Sequence, residues 1–284
     1  MRHFSTLNEA LSIAVSKGIA LGAFEFWSFE VARAIVSAAE KLDVPVILQC
    51  GEYEIAQMGG KEETVQTAYF ASRRSSVPVV LHLDHATTYE ACNAAILAGF
   101  SSVMIDASAL PYEDNVSLTR RVCQRAHSVG ISCEGELGRL AGEEGNIVAM
   151  GPEAAQTDPD EALDYVTRTC IDALAVSIGT AHGAYTFEPT LNIPRLDAIA
   201  AKVQVPIVLH GGSGTPAAQV QESIRHGIRK INICTDTQIA MGKAYIEAQA
   251  QPGFKYSTQA LWGAGEAAAH KVALEKMKMF STAS

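Results

Sequence analysis

The sequence predicts an α/β fold: a single-domain (β/α)8 barrel of the TIM type with an extra C-terminal helix. Short apolar, β-branched runs recur along all 284 residues, helix-like segments separate them, and no linker interrupts the alternation. Continuously apolar runs are typical of strands buried on both faces of a parallel sheet. Eight such units fit a closed barrel, with a doubly wound open sheet as the alternative. We therefore expect one domain over 1–284.

The eight predicted strands are spread over the whole chain. In order they are GIALGAF (18–24), VPVILQ (44–49), VPVVLHLDH (77–85), SSVMIDAS (101–108), ISCEGELG (131–138), DALAVSIGT (172–180), VPIVLHG (205–211) and KINICTD (230–236).

Helices are predicted between these strands and after the last one. Apolar residues recur at helical spacing over 29–42, a segment over 115–130 ends in a glycine suited to a helix C-terminus, and a final helix is expected over about 258–279. Long loops are predicted over 139–156 and 181–192. Loops that follow barrel strands carry the chemistry of this fold and often close over a substrate.

Two helix starts have recognisable capping patterns. Thr6 and Glu9 have the spacing of a capping box ahead of an amphipathic helix. Asp158 is a predicted N-cap, followed by Pro159 at the first helical position and Glu161 three residues after the cap.

Composition restricts the class of protein. The net charge of −9 argues against nucleic acid as a partner, because nucleic acid selects a basic surface. It does not exclude a small anionic substrate, since a metal ion and helix N-termini can make a positive pocket in an acidic protein. The six cysteines form no C-x-x-C pair and indicate free thiols in a reducing compartment. Without a signal peptide or membrane span in the pattern, we expect a cytoplasmic protein.

Three histidines lie at or just past the ends of predicted strands. They are His85 in VVLHLDH, His182 in LAVSIGTAHG and His210 in IVLHGGSG. Imidazole is the commonest side-chain metal ligand, and three of them leave one coordination position for a substrate. Taken singly, each could be a structural histidine, but three at strand ends that converge on one rim predict a metal-dependent enzyme.

Acidic side chains accompany these histidines. Asp84 precedes His85, Asp106 ends the fourth predicted strand, and Glu136 lies on the fifth. Asp106 and Glu136 could orient the histidines or form an alternative metal position, and the residues alone leave both open. His82, on the same strand face as Asp84, is interpreted as a hydrogen-bonded structural histidine.

A glycine-rich turn adds an anion-binding pattern. HGGSGTP (210–216) ends a strand and opens a predicted helix, with Thr215 as N-cap and Pro216 at the first helical position. Backbone N–H groups of such a turn can face an anion, and phosphate sites in barrels often follow strands seven and eight. The NICTD segment of the eighth predicted strand would lie beside this turn.

These motifs together resemble the class II, metal-dependent ketose-bisphosphate aldolases of the fructose- and tagatose-bisphosphate type. HLDHATT, MIDAS, ELGRLAGEE, GTAHG, LHGGSG and KINICTDT occur in the family's order over nearly the whole chain. The resemblance implies a zinc enzyme that reversibly cleaves a ketose 1,6-bisphosphate, or a related ketose 1-phosphate, into dihydroxyacetone phosphate and an aldehyde. The family's intermediate is an enediolate stabilised by zinc, and its members are homodimers or homotetramers. No Schiff-base lysine is needed, and Lys230 is expected at the far end of the eighth strand, away from the active rim.

The resemblance also implies roles for individual residues. Asp84 matches the family's catalytic aspartate, and Glu144 matches the mobile-loop glutamate of proton exchange. The remaining matches are zinc ligands at His85, His182 and His210, a position for a second or displaced metal ion, or a monovalent cation, at Asp106 and Glu136, and dihydroxyacetone phosphate contacts at Gly183, Gly211, Gly212, Ser213, Asn232, Ile233, Cys234 and Thr235.

Three departures from the family pattern concern the other half of the substrate. Glu25 stands where the family usually has asparagine, Gly51 replaces a serine, and FKYSTQALWGAG lacks the arginine that helps bind the distal phosphate. We therefore hypothesise an unusual aldehyde partner, unphosphorylated or bearing another group. ELGRL with GTAHG favours the tagatose type, whereas LHGGSG is closer to the fructose type.

Two competing functions remain open on the sequence. One is a barrel metallohydrolase that activates water on zinc, although VVLHLDH offers His-x-x-His rather than the His-x-His pair common in such sites. The other is a non-catalytic subunit that supports a true aldolase, for which loss of the metal ligands or of Asp84 would be expected.

Overall fold

Eight parallel strands close into a barrel in the computed structural model, which describes residues 3–138, 141–144, 147–149, 156–183 and 189–282. The strand order around the barrel is β1-β11-β10-β8-β5-β4-β3-β2, so the predicted barrel is confirmed and the open sheet is excluded. The barrel strands are β1 Leu21–Glu25, β2 Val46–Cys50, β3 Val79–Ala86, β4 Ser102–Ile105, β5 Ser132–Leu137, β8 Ala173–Val176, β10 Ile207–Leu209 and β11 Ile228–Ile233.

A second, three-stranded sheet lies within the segments that were expected to be loops. It is formed by β6 Ala141–Glu144, β7 Ile147–Ala149 and β9 Ala181–His182, in the order β7-β6-β9. The long loops predicted over 139–156 and 181–192 therefore contain short strands that were not predicted. Pairing between β6 and β9 joins segments that are distant in sequence, so local composition gives no indication of it.

Eleven helices within the described residues surround or close the barrel. Their bounds are α1 Leu7–Lys17, α2 Phe29–Leu42, α3 Glu52–Gln57, α4 Lys61–Ser72, α5 Tyr89–Ala98, α6 Tyr112–His127, α7 Pro159–Thr169, α8 Ile193–Ala200, α9 Ala217–Arg225, α10 Thr235–Gln249 and α11 Thr258–Ser281.

The predicted helix bounds agree with these elements to different degrees. The 29–42 segment coincides with α2, and the extra C-terminal helix is confirmed as α11. The 115–130 segment was placed about three residues too late, because its helix begins at Tyr112 and ends at His127. The eighth strand was predicted to reach Asp236 but stops at Ile233, and Thr235 already begins α10.

Two of the three proposed helix caps are present. The Thr6 side chain accepts a hydrogen bond from the Glu9 backbone N–H, and the Glu9 carboxylate accepts one from the Thr6 backbone N–H. Asp158 caps α7, with Pro159 at its first position. The prediction for α9 was wrong: Thr215 donates its hydroxyl to the Gly211 carbonyl oxygen, and Pro216 takes the N-cap position.

The interior of the barrel is apolar at one end and polar at the other. An apolar cluster fills the amino-terminal half of the barrel, where Leu7 and Leu11 of α1 pack with strand residues such as Ile47 and Val208. A larger cluster packs the outer faces of the strands against the helices. Because α1 closes the amino-terminal end of the strands, buried polar side chains can gather only at the carboxyl end, where this fold carries its sites. No helix within the described residues combines the length and apolar character that crossing a bilayer requires.

Candidate metal centre and active site

His85 is aimed into the barrel mouth by a distortion of β3. The pairing of β3 with β4 shifts register between Leu83 and Ala86, and His85 lies there in the left-handed region at φ 45°. Such a conformation is unfavourable for a non-glycine residue, by about 1–3 kcal/mol, and is typical of functional sites. The turn places His85 Nδ1 3.0 Å from Asp106 Oδ2.

Asp106 is fixed in place as a hydrogen-bond acceptor. Its Oδ1 accepts hydrogen bonds from the backbone N–H and the hydroxyl of Ser108 at 3.1 and 2.7 Å. Burial works to raise the pKa of this carboxyl, but His85 and Ser108 together hold the pKa well below its usual range. Asp106 is therefore an anion, and it accepts a hydrogen bond from the Nδ1–H group of His85.

His210 meets His85 at the centre of the mouth. Its buried ring lies edge-on to the His85 ring, with His210 Nδ1 2.8 Å from His85 Nε2. On its other side His210 Nε2 lies 2.9 Å from Glu134 Oε1. Glu134 and Asp106 each accept a hydrogen bond from one histidine, so the nitrogens that face each other carry lone pairs. Two lone pairs this close together repel each other, and a cation bound beside them would relieve that repulsion.

Asp84 completes a group of three possible ligands. Ligand atoms of Asp84, His85 and His210 lie within 4.8 Å of one another, and so do those of His85, Asp106 and Glu136. Imidazole nitrogen and carboxylate oxygen form a donor set that suits Zn²⁺. The residues present therefore fit a divalent cation at this end of the barrel.

Two amide side chains orient Asp84. Gln49 Nε2 donates to Asp84 Oδ2 at 2.8 Å, and Asn232 Nδ2 donates to the same oxygen at 3.1 Å. Asp84 is 2% exposed, so these donors replace the water that a carboxylate would otherwise require. Its Oδ2 also lies 4.0 Å from His85 Nε2. The aspartate is thereby held as an oriented acceptor beside the histidines.

Lys230 lies inside the barrel, contrary to its predicted position away from the active rim. Its ammonium donates to Asn232 Oδ1 at 2.7 Å and lies 3.1 Å from Glu134 Oε2. β11 begins at Ile228, so Lys230 is its third residue and shares the inward face with Asn232. The K-x-N spacing with period two could have revealed this, since both side chains must face the same way. Lys230 thus contacts the partner of His210 and the partner of Asp84.

His82 is structural in its contacts, as the sequence indicated. It is fully buried, and its Nδ1 lies 2.8 Å from the Ser102 hydroxyl oxygen. Its Nε2 has no hydrogen-bond partner within the described residues and lies 3.7 Å from Asp84 Oδ1. Burial and the nearby Lys230 lower the pKa of His82 well below its usual value, so the ring is neutral.

The glycine turn after β10 is packed tightly against its neighbours. A Cβ on Gly211, which has φ 67°, would lie 2.3 Å from the Ala181 carbonyl oxygen, and a Cβ on Gly212 would lie 2.4 Å from the Ile231 side chain. Glycine is therefore required at both positions, and the turn lies directly against β9 and β11. This packing brings the residue after His210 against the backbone of Ala181, the residue before His182.

The helix that follows β11 begins at this turn. Ser213 Oγ accepts hydrogen bonds from the backbone N–H groups of Cys234 and Asp236 at 3.3 and 3.2 Å. Asp236 in turn forms an ion pair with Lys276 at 2.5 Å, which offsets its charge at this helix start. The predicted phosphate contacts on Ser213 and from Asn232 to Thr235 therefore meet at the start of α10.

Two predicted residues fall partly outside the described structure. The backbone of His182 belongs to β9 and that of Glu144 to β6, but both side chains lie outside the described residues. The third imidazole and the loop glutamate therefore stay predictions.

A second group of acidic side chains lies at the ends of β1 and β2. Glu25, 3% exposed, accepts a hydrogen bond from the Gly51 backbone N–H at 2.8 Å and one from Gln49 Nε2 at 3.1 Å. Glu54, on the short helix α3, lies beside Glu25, and its pKa is raised by burial above all. Glu54 was not predicted as a site residue, since nothing in the sequence pattern showed that α3 would turn it back towards the strand end.

Comparisons with known proteins agree over the whole barrel. The family model "Fructose-bisphosphate aldolase class-II" matches residues 5–284. The probable fructose-bisphosphate aldolase of Bacillus subtilis (strain 168) is 39% identical over 98% of this chain and 97% of its own length. The fructose-bisphosphate aldolase of Geobacillus stearothermophilus is 39% identical over 98% and 96%. The crystal structure of the YdjI aldolase from Escherichia coli K12 superposes with a TM-score of 0.83 at 32% identity, covering 98% and 97%.

These matches span the strands, the glycine turn and the histidine-bearing segments together. They decide between the classes of enzyme that the residues left open, because the relatives are lyases rather than hydrolases. The chain belongs to the class II fructose-bisphosphate aldolase family, and it is an aldehyde-lyase.

Proposed function

We propose that the protein is a zinc-dependent aldolase that reversibly cleaves a ketose phosphate into dihydroxyacetone phosphate and an aldehyde. The observation that carries this proposal is the convergence of Asp84, His85 and His210 within 4.8 Å at the carboxyl end of the barrel. The substrate is a ketose 1,6-bisphosphate of the tagatose or fructose type, or a related ketose 1-phosphate.

His85 and His210 would hold the ion, together with His182 from the adjacent β9. When bound, zinc would polarise the ketone oxygen and stabilise the enediolate left by C3–C4 cleavage. Asp106 and Glu134 fix the tautomers of these two imidazoles. Asp106 accepts a hydrogen bond from His85 Nδ1 and Glu134 accepts one from His210 Nε2, so the second nitrogen of each ring can bind the ion. His85, Asp106 and Glu136 form a second cluster that would suit a displaced metal ion or a second cation.

Asp84 would move the proton of the reaction at the aldehyde-forming carbon. In cleavage its carboxylate takes the C4 hydroxyl proton, and in condensation it returns that proton. The hydrogen bonds from Gln49 and Asn232 hold the Asp84 carboxylate in one orientation. Glu144 would exchange the proton on the three-carbon half.

The glycine turn and the start of α10 would bind the phosphate of the three-carbon half. Backbone N–H groups of a turn and of a helix N-terminus attract phosphate without a cationic side chain. The residues that would bind it are Gly183, Gly211, Gly212, Ser213 and the segment from Asn232 through Ile233 and Cys234 to Thr235. We further propose a single domain over 1–284, assembled as a homodimer or homotetramer, with the ELGRL and GTAHG motifs favouring the tagatose epimer.

Product analysis of the purified zinc protein tests this proposal. It should release triose phosphate from tagatose 1,6-bisphosphate, fructose 1,6-bisphosphate or a matching ketose 1-phosphate, lose the activity to a chelator and regain it with Zn²⁺. Release of inorganic phosphate without triose phosphate would instead indicate a hydrolase. A protein with stoichiometric zinc and no cleavage of any of these sugars would indicate an accessory subunit.

A further inference from the structure

The ends of β1 and β2 present hydrogen-bond acceptors to the barrel mouth. We call Glu25, Gln49 and Glu54 the acceptor patch. Glu25 and Gln49 are paired neighbours in the β1–β2 register, and Glu54 reaches the same point from α3. None of the three has a part in the proposed proton transfers or in metal binding, although Gln49 touches Asp84.

Gln49 gives an independent indication that something binds here. The residue is 1% exposed, and its side-chain Nε2 donates two hydrogen bonds, one to Glu25 and one to Asp84. Rotating the amide would bring its oxygen against two carboxylates, so the observed orientation is fixed. Gln49 Oε1 is then left buried with no hydrogen-bond partner within the described residues. A buried acceptor in this state indicates a donor that the described residues do not supply, such as a ligand hydroxyl.

The Glu54 side chain also limits the space around Gly51. A Cβ at Gly51 would lie 3.2 Å from Glu54 Oε2 and 3.9 Å from the Asp84 carbonyl oxygen. The Glu54 carboxylate therefore stands close to the chain segment that carries the proposed proton-transfer residue. A ligand that reaches Asp84 from this side passes a carboxylate.

The chemistry of the patch selects among possible aldehydes. Carboxylate and amide oxygens accept hydrogen bonds, which hydroxyl groups can donate. A phosphate brings further acceptors and negative charge, and two carboxylates repel it. The first basic residue that follows Glu54 in the chain is Lys61. Its ammonium lies 3.7 Å from Glu52 Oε1, so the charge of Lys61 is partly balanced by Glu52.

We infer that the acceptor patch binds the hydroxyl groups of a neutral aldehyde and discriminates against an aldehyde that carries a phosphate. The preferred substrate is then a ketose 1-phosphate rather than a 1,6-bisphosphate. This inference rests on the proposed aldolase function and specifies the aldehyde half of its substrate.

Condensation with dihydroxyacetone phosphate tests the inference on the zinc-loaded protein. The two acceptors compared are D-glyceraldehyde and D-glyceraldehyde 3-phosphate, and the quantity measured is the ratio of their kcat/KM values. We expect the neutral aldehyde to be favoured by about tenfold or more, the size of discrimination that a mismatched polar group gives. A preference for the phosphorylated aldehyde would overturn the inference.

Charge-removing variants locate the source of the preference. Glu25→Gln and Glu54→Gln keep the side-chain shape and should each reduce the ratio by about fivefold, chiefly through a lower KM for the phosphorylated aldehyde. Glu52→Gln removes an equal charge from the exposed side of the same helix and should leave the ratio unchanged. Glu54 is only half-buried, so its variant provides the test even if Glu25→Gln does not fold. A ratio that is the same in the wild type and both patch variants would contradict the inference.

One further measurement separates this inference from the proposed function. Solvent proton exchange into dihydroxyacetone phosphate, followed by NMR without any aldehyde, reports the three-carbon half alone. Exchange with no preference for the neutral aldehyde would refute only the acceptor patch. Absence of exchange, together with absence of cleavage, would refute the aldolase proposal itself.

Discussion

Two adjacent parts of the barrel mouth have opposite hydrogen-bonding character. Around β10 and β11 the glycine turn and the start of α10 present backbone N–H groups. At the ends of β1 and β2 the acceptor patch presents oxygens, with the Glu25 and Glu54 side chains next to each other. Although β1 and β11 are paired neighbours in the barrel, the first part suits a phosphate and the second suits hydroxyl groups.

Asp84 lies where the two parts meet. It accepts one hydrogen bond from Asn232 on β11 and one from Gln49 on β2. A change on either side therefore reaches the carboxylate through a single amide. Substrate specificity and proton transfer would thus be linked in this mouth, while His210 contacts a different carboxylate, Glu134.

Removing an imidazole should abolish the function of both parts. His210→Ala takes away one proposed ligand and leaves the buried Glu134 without the histidine that it now contacts. We expect loss of bound zinc and a fall in kcat/KM for cleavage of about a thousandfold or more. Metal analysis and triose phosphate release measure both effects.

The control for this variant is a histidine outside the mouth. His226→Ala changes a partly exposed residue that pairs with Asp197 and Glu222, so it should retain zinc and cleavage. A His210→Ala protein that still carries one zinc per chain would show that the cation lies elsewhere.

Replacing the carboxylate between the two parts should separate chemistry from metal binding. Asp84→Ala leaves His85 and His210 in place, so we expect zinc to be retained while kcat for cleavage falls by about 10²–10⁴-fold, the usual contribution of a proton-transfer group. Zinc content and single-turnover cleavage are the measurements. Cleavage at the wild-type rate would exclude Asp84 from the proton transfer.

The sequence was sufficient to predict the positions of residues that lie at the ends of strands. A continuous apolar run fixes its own strand, and the residue after it must reach the carboxyl end of the barrel, so Asp84, His85 and His210 could be placed together. Glu54 could not be placed, because it acts from a short helix whose return towards β1 depends on packing. The β6–β9 pairing was equally hidden, since it joins segments about 40 residues apart and depends on the closed barrel.

Lys230 shows how a small error in a strand boundary changes a functional interpretation. The start of the eighth strand was placed two residues late, so the lysine was assigned to the strand's outer end rather than to its inward face. Because a strand alternates its side chains, the correct boundary puts Lys230 and Asn232 on one face and brings the ammonium to Glu134.

A change at Lys230 should weaken the mouth without removing its ligands. Lys230→Met keeps an unbranched side chain of nearly the same length but leaves Glu134 buried without its ammonium partner, at a cost of about 3–5 kcal/mol in the free energy of unfolding. Asn232 would also lose the donor that orients its amide towards Asp84. We expect a lower midpoint in urea and a fall in kcat of about ten- to a hundredfold, while KM changes little. Unchanged kcat in a destabilised protein would assign Lys230 to stability alone.

The smallest expected effect is also the one that tests the separation of the two parts most directly. Ser213→Ala removes the hydroxyl oxygen that accepts hydrogen bonds from the N–H groups of Cys234 and Asp236, at the site proposed for the three-carbon phosphate. The same hydroxyl would donate a hydrogen bond to the phosphate, and losing that bond is worth about 1 kcal/mol, or roughly a fivefold rise in KM for dihydroxyacetone phosphate. The preference between D-glyceraldehyde and its 3-phosphate should stay the same, because the acceptor patch is untouched. A change in that preference together with KM would show that the two halves of the substrate are not bound by separate parts of the mouth. The effect of the substitution near β11 would then have reached Gln49 through Asn232 and Asp84.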